Sequence, residues 1–216
     1  MSLSLHASST TQRVAREERG GAGGWHRFPR QSRVIIHRAQ EVIMSVSLYD
    51  LSVGSYLQCV ASVAKVMDKG RRYADEQGIA LDDIVSTRLA PDMLPFRFQI
   101  LSVVHQSIGA IQDIEAGESA PPSSIEPLDY AALEALVQTT LEELRAVDAD
   151  QINSFSGKPV VFKMGELQIP FSAENFVLSF SLPNLYFHAT TAYDILRQQG
   201  VPLSKRDYLG QMRVGI

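Results

Sequence analysis

A single cysteine, Cys59, stands among the 216 residues. That excludes an internal disulfide framework and any zinc site built from several cysteines. No stretch approaches the roughly 20 consecutive apolar residues of a membrane-spanning helix. The chain has no Gly-x-Ser-x-Gly nucleophile elbow, no glycine-rich phosphate loop ending in Lys-Ser/Thr and no His-Glu-x-x-His pair. The run Gly20-Gly21-Ala22-Gly23-Gly24 has neither a strand pattern before it nor a helix pattern after it, so it is no dinucleotide fingerprint. With 45% hydrophobic and 20% charged residues, the chain has the composition of a folded globular protein. One cysteine and no spanning segment point to the cytoplasm.

Charge is distributed unevenly. Residues 1–43 hold seven arginines, no lysine and three acids, a net of +4, while the whole chain carries −4. Residues 44–216 are therefore acidic, at −8, which argues against unaided nucleic-acid binding. The first 43 residues also contain the only tryptophan, Trp25, and three of the five histidines. No helical or alternating period runs through them, and such a stretch buries too little apolar surface to offset the entropy of ordering it. A transit peptide, a basic nucleic-acid arm and an extension preceding the true start are the three readings. Gln40-Glu41-Val42-Ile43 is encodable by a run containing a bacterial ribosome-binding sequence, which favours Met44 as the initiator and residues 1–43 as a disordered extension outside the fold.

From residue 45 onward the period is helical. Tyr49, Val53, Tyr56, Leu57, Val60, Val63, Ala64 and Met67 recur at spacings of three and four, with Ser47 and Asp50 as a capping pair and Gly78 as the stop. A second helix is expected from Asp92 as N-cap, with Pro95 in its first turn, through Phe98, Leu101, His105, Ile108 and Ile111 to Gly117. After a polar loop over 119–127, Asp129 caps a third stripe running from Tyr130 to Val147. A fourth begins near Ser172 and carries Phe176, Phe180, Leu185, His188, Ala192 and Ile195 to Gly200. Between the third and fourth, the β-branched residues of 160–169 around Met164-Gly165 read as a short hairpin. The expected fold is all-α, a four-helix bundle over residues 44–216 with that hairpin at one end.

Few residues carry chemistry. His105 and His188 both fall on apolar stripes, so each is expected to point into the bundle interior from a different helix. A buried imidazole needs partners for its nitrogens, either hydrogen-bonding groups of the core or a shared ligand. Asn184 lies four residues before His188, on the same helical face. Pro183 interrupts the hydrogen bonding of the fourth helix just before them, leaves the Ser179 carbonyl without its partner and bends the axis. Cys59 has no basic neighbour one turn away and reads as an inert packing residue.

Several motifs occur together in one order. They are Ser47-Leu48-Tyr49-Asp50, Arg88-Leu89-Ala90-Pro91-Asp92-Met93, Leu182-Pro183-Asn184-Leu185-Tyr186-Phe187-His188 with Thr191-Ala192-Tyr193, and the closing Gly200-Val201-Pro202-Leu203. Over about residues 45–210 the chain resembles the uncharacterised family domain of unknown function nineteen ninety-three, which looks like a branch of the DinB/YfiT-like superfamily of metalloenzymes. The resemblance implies a homodimeric four-helix bundle holding a divalent metal on three histidines. His105 would match the first and His188 the last, and Asn184 stands where the remaining histidine is expected, so the set is incomplete. The functions it implies are a divergent metal-dependent transferase or hydrolase, or a small-molecule pocket at His105, Asn184 and His188. The alternative is a non-catalytic dimeric module in which both histidines are structural.

Overall fold

Four long helices dominate the computed structural model, which describes residues 46–122 and 127–214. The expectations for residues 1–43 and for Met44 as initiator concern positions outside those described. The chain is mostly helical with one small three-stranded sheet. Ser47 caps the short helix Leu48–Leu51, its Oγ accepting from the Asp50 amide at 3.1 Å and donating to the Asp50 carboxylate at 2.7 Å. The stripe expected to be continuous is interrupted at Ser52, whose backbone leaves helical space before the first long helix, Val53–Gln77, begins. Gly78 ends that helix at φ 66°, a left-handed conformation that costs glycine nothing.

The second long helix starts later than its sequence suggests. It begins at Phe96 with Pro95 as the cap residue, and Asp92 lies in the preceding turn rather than at the cap. Two forces decide this: a residue before proline is pushed out of helical space, and the Phe96 amide finds the Thr87 carbonyl at 2.8 Å instead of a helical partner. The helix runs as Phe96–Val104, a π-helical turn His105–Gly109, and Ala110–Ala116. The third long helix, Tyr130–Ala146, is capped by Asp129, which accepts from the Ala132 amide at 2.8 Å. The fourth comprises Ala173–Phe176 capped by Ser172, a π-helical turn Val177–Ser181, and Leu182–Gln198. A short helix, Lys205–Leu209, follows.

The first and second long helices each pack against both the third and the fourth. Their shared core contains fully buried Tyr56, Met67, Phe96, Ile100, Tyr130, Leu133, Phe176, Leu185 and Ile195, each stabilising the fold by about 1.5–3 kcal/mol relative to exposure. Phe96 and Tyr130 stack with ring centroids 5.7 Å apart, and the Tyr130 hydroxyl donates to the Met67 carbonyl at 2.8 Å. Gly70 permits this approach, because a Cβ there would lie 2.7 Å from the Tyr130 hydroxyl and 3.0 Å from Leu196.

The expected hairpin is present. Strands β2 (Pro159–Met164) and β3 (Leu167–Ser172) pair antiparallel around a two-residue loop whose first residue, Gly165, has φ 59°. A strand the sequence did not reveal, β1 (Glu118–Ser119), pairs parallel with β2. The sheet contributes Phe162 and Phe171 to an aromatic cluster with Phe176 and Phe180, closing over the start of the fourth long helix.

Candidate functional site

The two π-helical turns lie where the second and fourth long helices carry their distinctive residues. A π turn inserts one residue into an α-helix and displaces the regular hydrogen bonds, a device frequent at functional sites. One begins at His105; the other directly precedes Pro183, so the irregularity expected at that proline takes the form of a widened turn. The turns are tied together through Ser181. Its hydroxyl donates to the Gln106 carbonyl at 2.8 Å, and the Tyr56 hydroxyl lies 2.6 Å from Ser181 Oγ. With the Ser181 proton directed to Gln106, Tyr56 is the donor in the second bond. Burial pushes the Tyr56 phenol well above its ordinary range, keeping that proton in place.

Both histidines are half-buried rather than fully enclosed in the core. The stripe that enters the centre of the second helix is Phe96, Ile100, Val103, Ser107, Ile111 and Ile114, leaving His105 half-buried on the flank with Leu101 and Ile108. On the fourth helix Ser181, Leu185, Ala189, Ala192 and Leu196 are buried, and His188 and Asn184 are half-buried beside them. Both stripes are apolar enough to serve, and the interior takes the one free of imidazole, whose burial without two partners is costly.

His188 is nonetheless tightly placed. Its Nδ1 lies 2.8 Å from Oε1 of Gln99, a residue 2% exposed, and Gln99 Nε2 donates to the Leu94 carbonyl at 2.8 Å. The Leu94 carbonyl accepts only from the amide nitrogen, which fixes Oε1 as the atom facing the histidine. Nδ1 therefore carries the proton and Nε2 carries a lone pair. Edge-to-face contacts with Phe98 and Phe187, at centroid distances of 5.7 and 5.2 Å, hold the ring on either side. Burial lowers the His188 pKa to about 4, and the neighbouring charge of His105 acts in the same direction. His188 is thus a neutral imidazole at physiological pH.

His105 has a different surround. Its Nδ1 would be 3.3 Å from a Cβ on Gly109, so the glycine makes room for the ring. Asp113, two turns on, is raised from the usual carboxylate range by burial, opposed by the nearby Ser119 hydroxyl and the His105 ring. Ser119 is 2% exposed; its Oγ lies by the Asp113 carboxylate outside hydrogen-bonding geometry and is without a partner among the described residues. Neither Asp113 nor Gln99 was marked by the sequence. Asn184 directs its amide donor to the Phe180 carbonyl of its own helix, at 2.7 Å, so Gln99 rather than Asn184 orients His188.

A divalent metal wants at least three protein ligands of suitable type. Among the described residues no group of three or more His, Cys, Asp and Glu side chains is placed to hold one. The neutral amide of Asn184 is a poor zinc ligand and is already engaged. The residues at His105 and His188 therefore do not fit the three-histidine centre that the resemblance implied. Among the described residues no helix is long and apolar enough to cross a membrane.

Comparison with known proteins places this geometry. No curated protein matches the chain. The crystal structure of a DinB family member protein from Shewanella denitrificans is similar to it, with 25% identity and a TM-score of 0.65, covering 78% of this chain and 95% of that one. Residues 48–209 match the family described as Domain of unknown function (DUF1993). The match spans the four long helices, the sheet and both histidines, and the chain belongs to that uncharacterised, DinB-like family.

Proposed function

We propose that the protein is a DinB-like four-helix bundle that binds a small organic molecule on the flank between its second and fourth long helices, at His105, Asn184 and His188. The observation that carries this reading is the fixed tautomer of His188. A histidine whose Nδ1 proton is spent on a buried glutamine, and whose pKa is about 4, presents Nε2 as a permanent acceptor at neutral pH. The core satisfies one nitrogen of the ring, Nδ1, and the second, Nε2, is the one a ligand would meet. Here Nε2 can accept a ligand proton or act as a weak general base, with His105 and the free Asn184 Oδ1 as further polar contacts. Because the metal set is incomplete, a metal-free site is the form of the reading that the donor chemistry supports.

A second reading is a non-catalytic dimeric module. It is favoured by Leu178, Tyr186 and Phe187, large apolar side chains of the fourth helix that are 50%, 44% and 56% exposed. Elemental analysis of the full chain, purified without tag or chelator, separates the forms of the first reading: it predicts no stoichiometric metal. NMR titration with a fragment set, read on the His105 and His188 imidazole signals, then tests binding. A compound that shifts both signals and loses its effect in His188→Gln supports the proposal. Stoichiometric metal lost in a His105→Ala/His188→Ala variant would overturn the metal-free form, and a set without any effect on either ring, together with a dimer in sedimentation, would favour the second reading.

A further inference from the structure

The C-terminal segment borders an open cavity, of about 400 Å³, against the first and fourth long helices. Tyr186 contributes to it from the fourth helix. Tyr186 and His188 are two positions apart, a rotation of roughly 200° about the helix axis, so the cavity lies on the other side of that helix from His188. The volume falls within the range of small-molecule sites.

Its walls are built rather than incidental. Tyr208 and Leu209 come from the short C-terminal helix, which is held to the first long helix by three backbone contacts. Gln58 Nε2 donates to the Leu209 carbonyl at 3.0 Å, and Ser62 Oγ reaches the Asp207 and Tyr208 carbonyls at 2.7 and 2.5 Å. Lys69 and Asp207 add an ion pair, and Asp207 closes a capping box with Ser204. Cys59 lines the cavity with a thiol that burial raises to about 12, so it stays uncharged and behaves as apolar surface.

One charge lines this site. Arg213 donates to the Asp50 carbonyl at 3.1 Å and towards Ser55 Oγ at 3.4 Å, and among the described residues no carboxylate lies within ion-pair distance of it. Its guanidinium lies over Gly54, where any Cβ would collide with it. Among the described residues, two of its five N–H donors are engaged. A guanidinium anchored on neutral oxygens beside an aromatic cavity is suited to one planar carboxylate on an apolar body.

We propose that this cavity binds a small aromatic monocarboxylate, its apolar body against Tyr186, Tyr208, Leu209 and Cys59 and its carboxylate on Arg213. The two tyrosine hydroxyls and Gln58 give secondary polar contacts at the rim. The site stands independently of the histidine flank, and its occupancy is read without any reaction there.

Calorimetric titration of the full chain with 2-naphthoate tests it, with 2-naphthylmethylamine as the probe of equal shape and opposite charge. The proposal predicts binding of the carboxylate and none of the amine. Arg213→Gln, and Gly54→Ala, which keeps the charge but displaces it, are each expected to weaken 2-naphthoate by about tenfold or more, as loss of a charge-assisted hydrogen bond does. Circular dichroism matching the parent shows that the variants fold. Absence of binding, equal binding of the amine, or binding that survives Arg213→Gln would each overturn the assignment.

Discussion

Gln99 holds His188 in one tautomer: Oε1 lies 2.8 Å from Nδ1 while the amide nitrogen of the same side chain is committed to the Leu94 carbonyl. The pair joins the second and fourth long helices across 89 residues of sequence and leaves one imidazole nitrogen open. Its consequences reach stability, titration and ligand chemistry.

The first consequence is a pH dependence of folding. The His188 pKa falls from 6.5 in the unfolded chain to about 4 in the folded one. Between those values the unfolded state binds more protons, so stability rises with pH through that window. It is fully present above pH 6.5 and is lost as the pH falls towards 4. After discounting for the partial exposure of the ring, about 2 kcal/mol is at stake. Urea denaturation at a series of pH values should show the slope in the parent chain and a flatter profile in His188→Gln.

Replacing Gln99 tests the same contact from the other side. Gln99→Leu leaves the Leu94 carbonyl and the His188 Nδ1 proton without their partners in a part-buried site. The expected loss is about 1–3 kcal/mol in denaturant unfolding, the usual penalty for orphaned buried groups. The imidazole proton should also redistribute between the two nitrogens. A variant as stable as the parent would show that the glutamine is incidental.

Ser181 carries a separate relay, Tyr56 hydroxyl to Ser181 hydroxyl to Gln106 carbonyl, which fills the gap made by the π turns. Ser181→Ala strands both outer groups and should cost about 1–3 kcal/mol. Combined with Tyr56→Phe, the loss should be smaller than the sum of the two single losses, because the phenol no longer needs an acceptor. A double-mutant cycle by chemical denaturation measures the difference; strict additivity would contradict the relay.

Gly70 is the contact point of three helices. An alanine there would gain helix propensity of about 1 kcal/mol but place its methyl 2.7 Å from the Tyr130 hydroxyl. That hydroxyl is fixed on the Met67 carbonyl and cannot swing aside without losing its bond. Gly70→Ala is therefore expected to destabilise by about 1–3 kcal/mol, as overpacking does. A rise in the unfolding midpoint would show that the interface has slack.

The sequence made the helices legible because their signals are local. Asp129 and Ser172 cap where expected, Gly78 stops the first long helix, and Gly165 opens the hairpin turn one residue later than Met164. The π turns left no such trace, since one inserted residue changes which of two apolar stripes faces inward without changing composition. His105 and His188, expected to point into the interior, are half-buried. Gln99 and Asp113 went unmarked because their meaning depends on partners brought together by folding, and β1 because two residues of backbone pairing have no side-chain pattern. Asp92 has the composition of a cap, and Pro95 overrules it.

The most direct test of the account is a long-range ¹H–¹⁵N correlation spectrum of the full chain, followed from neutral pH downward. The account predicts that His188 shows a protonated Nδ1 and an unprotonated Nε2, and that this form persists until the pH approaches about 4. A His188 protonated on Nε2 at neutral pH, or one titrating near its ordinary value of 6.5, would contradict it.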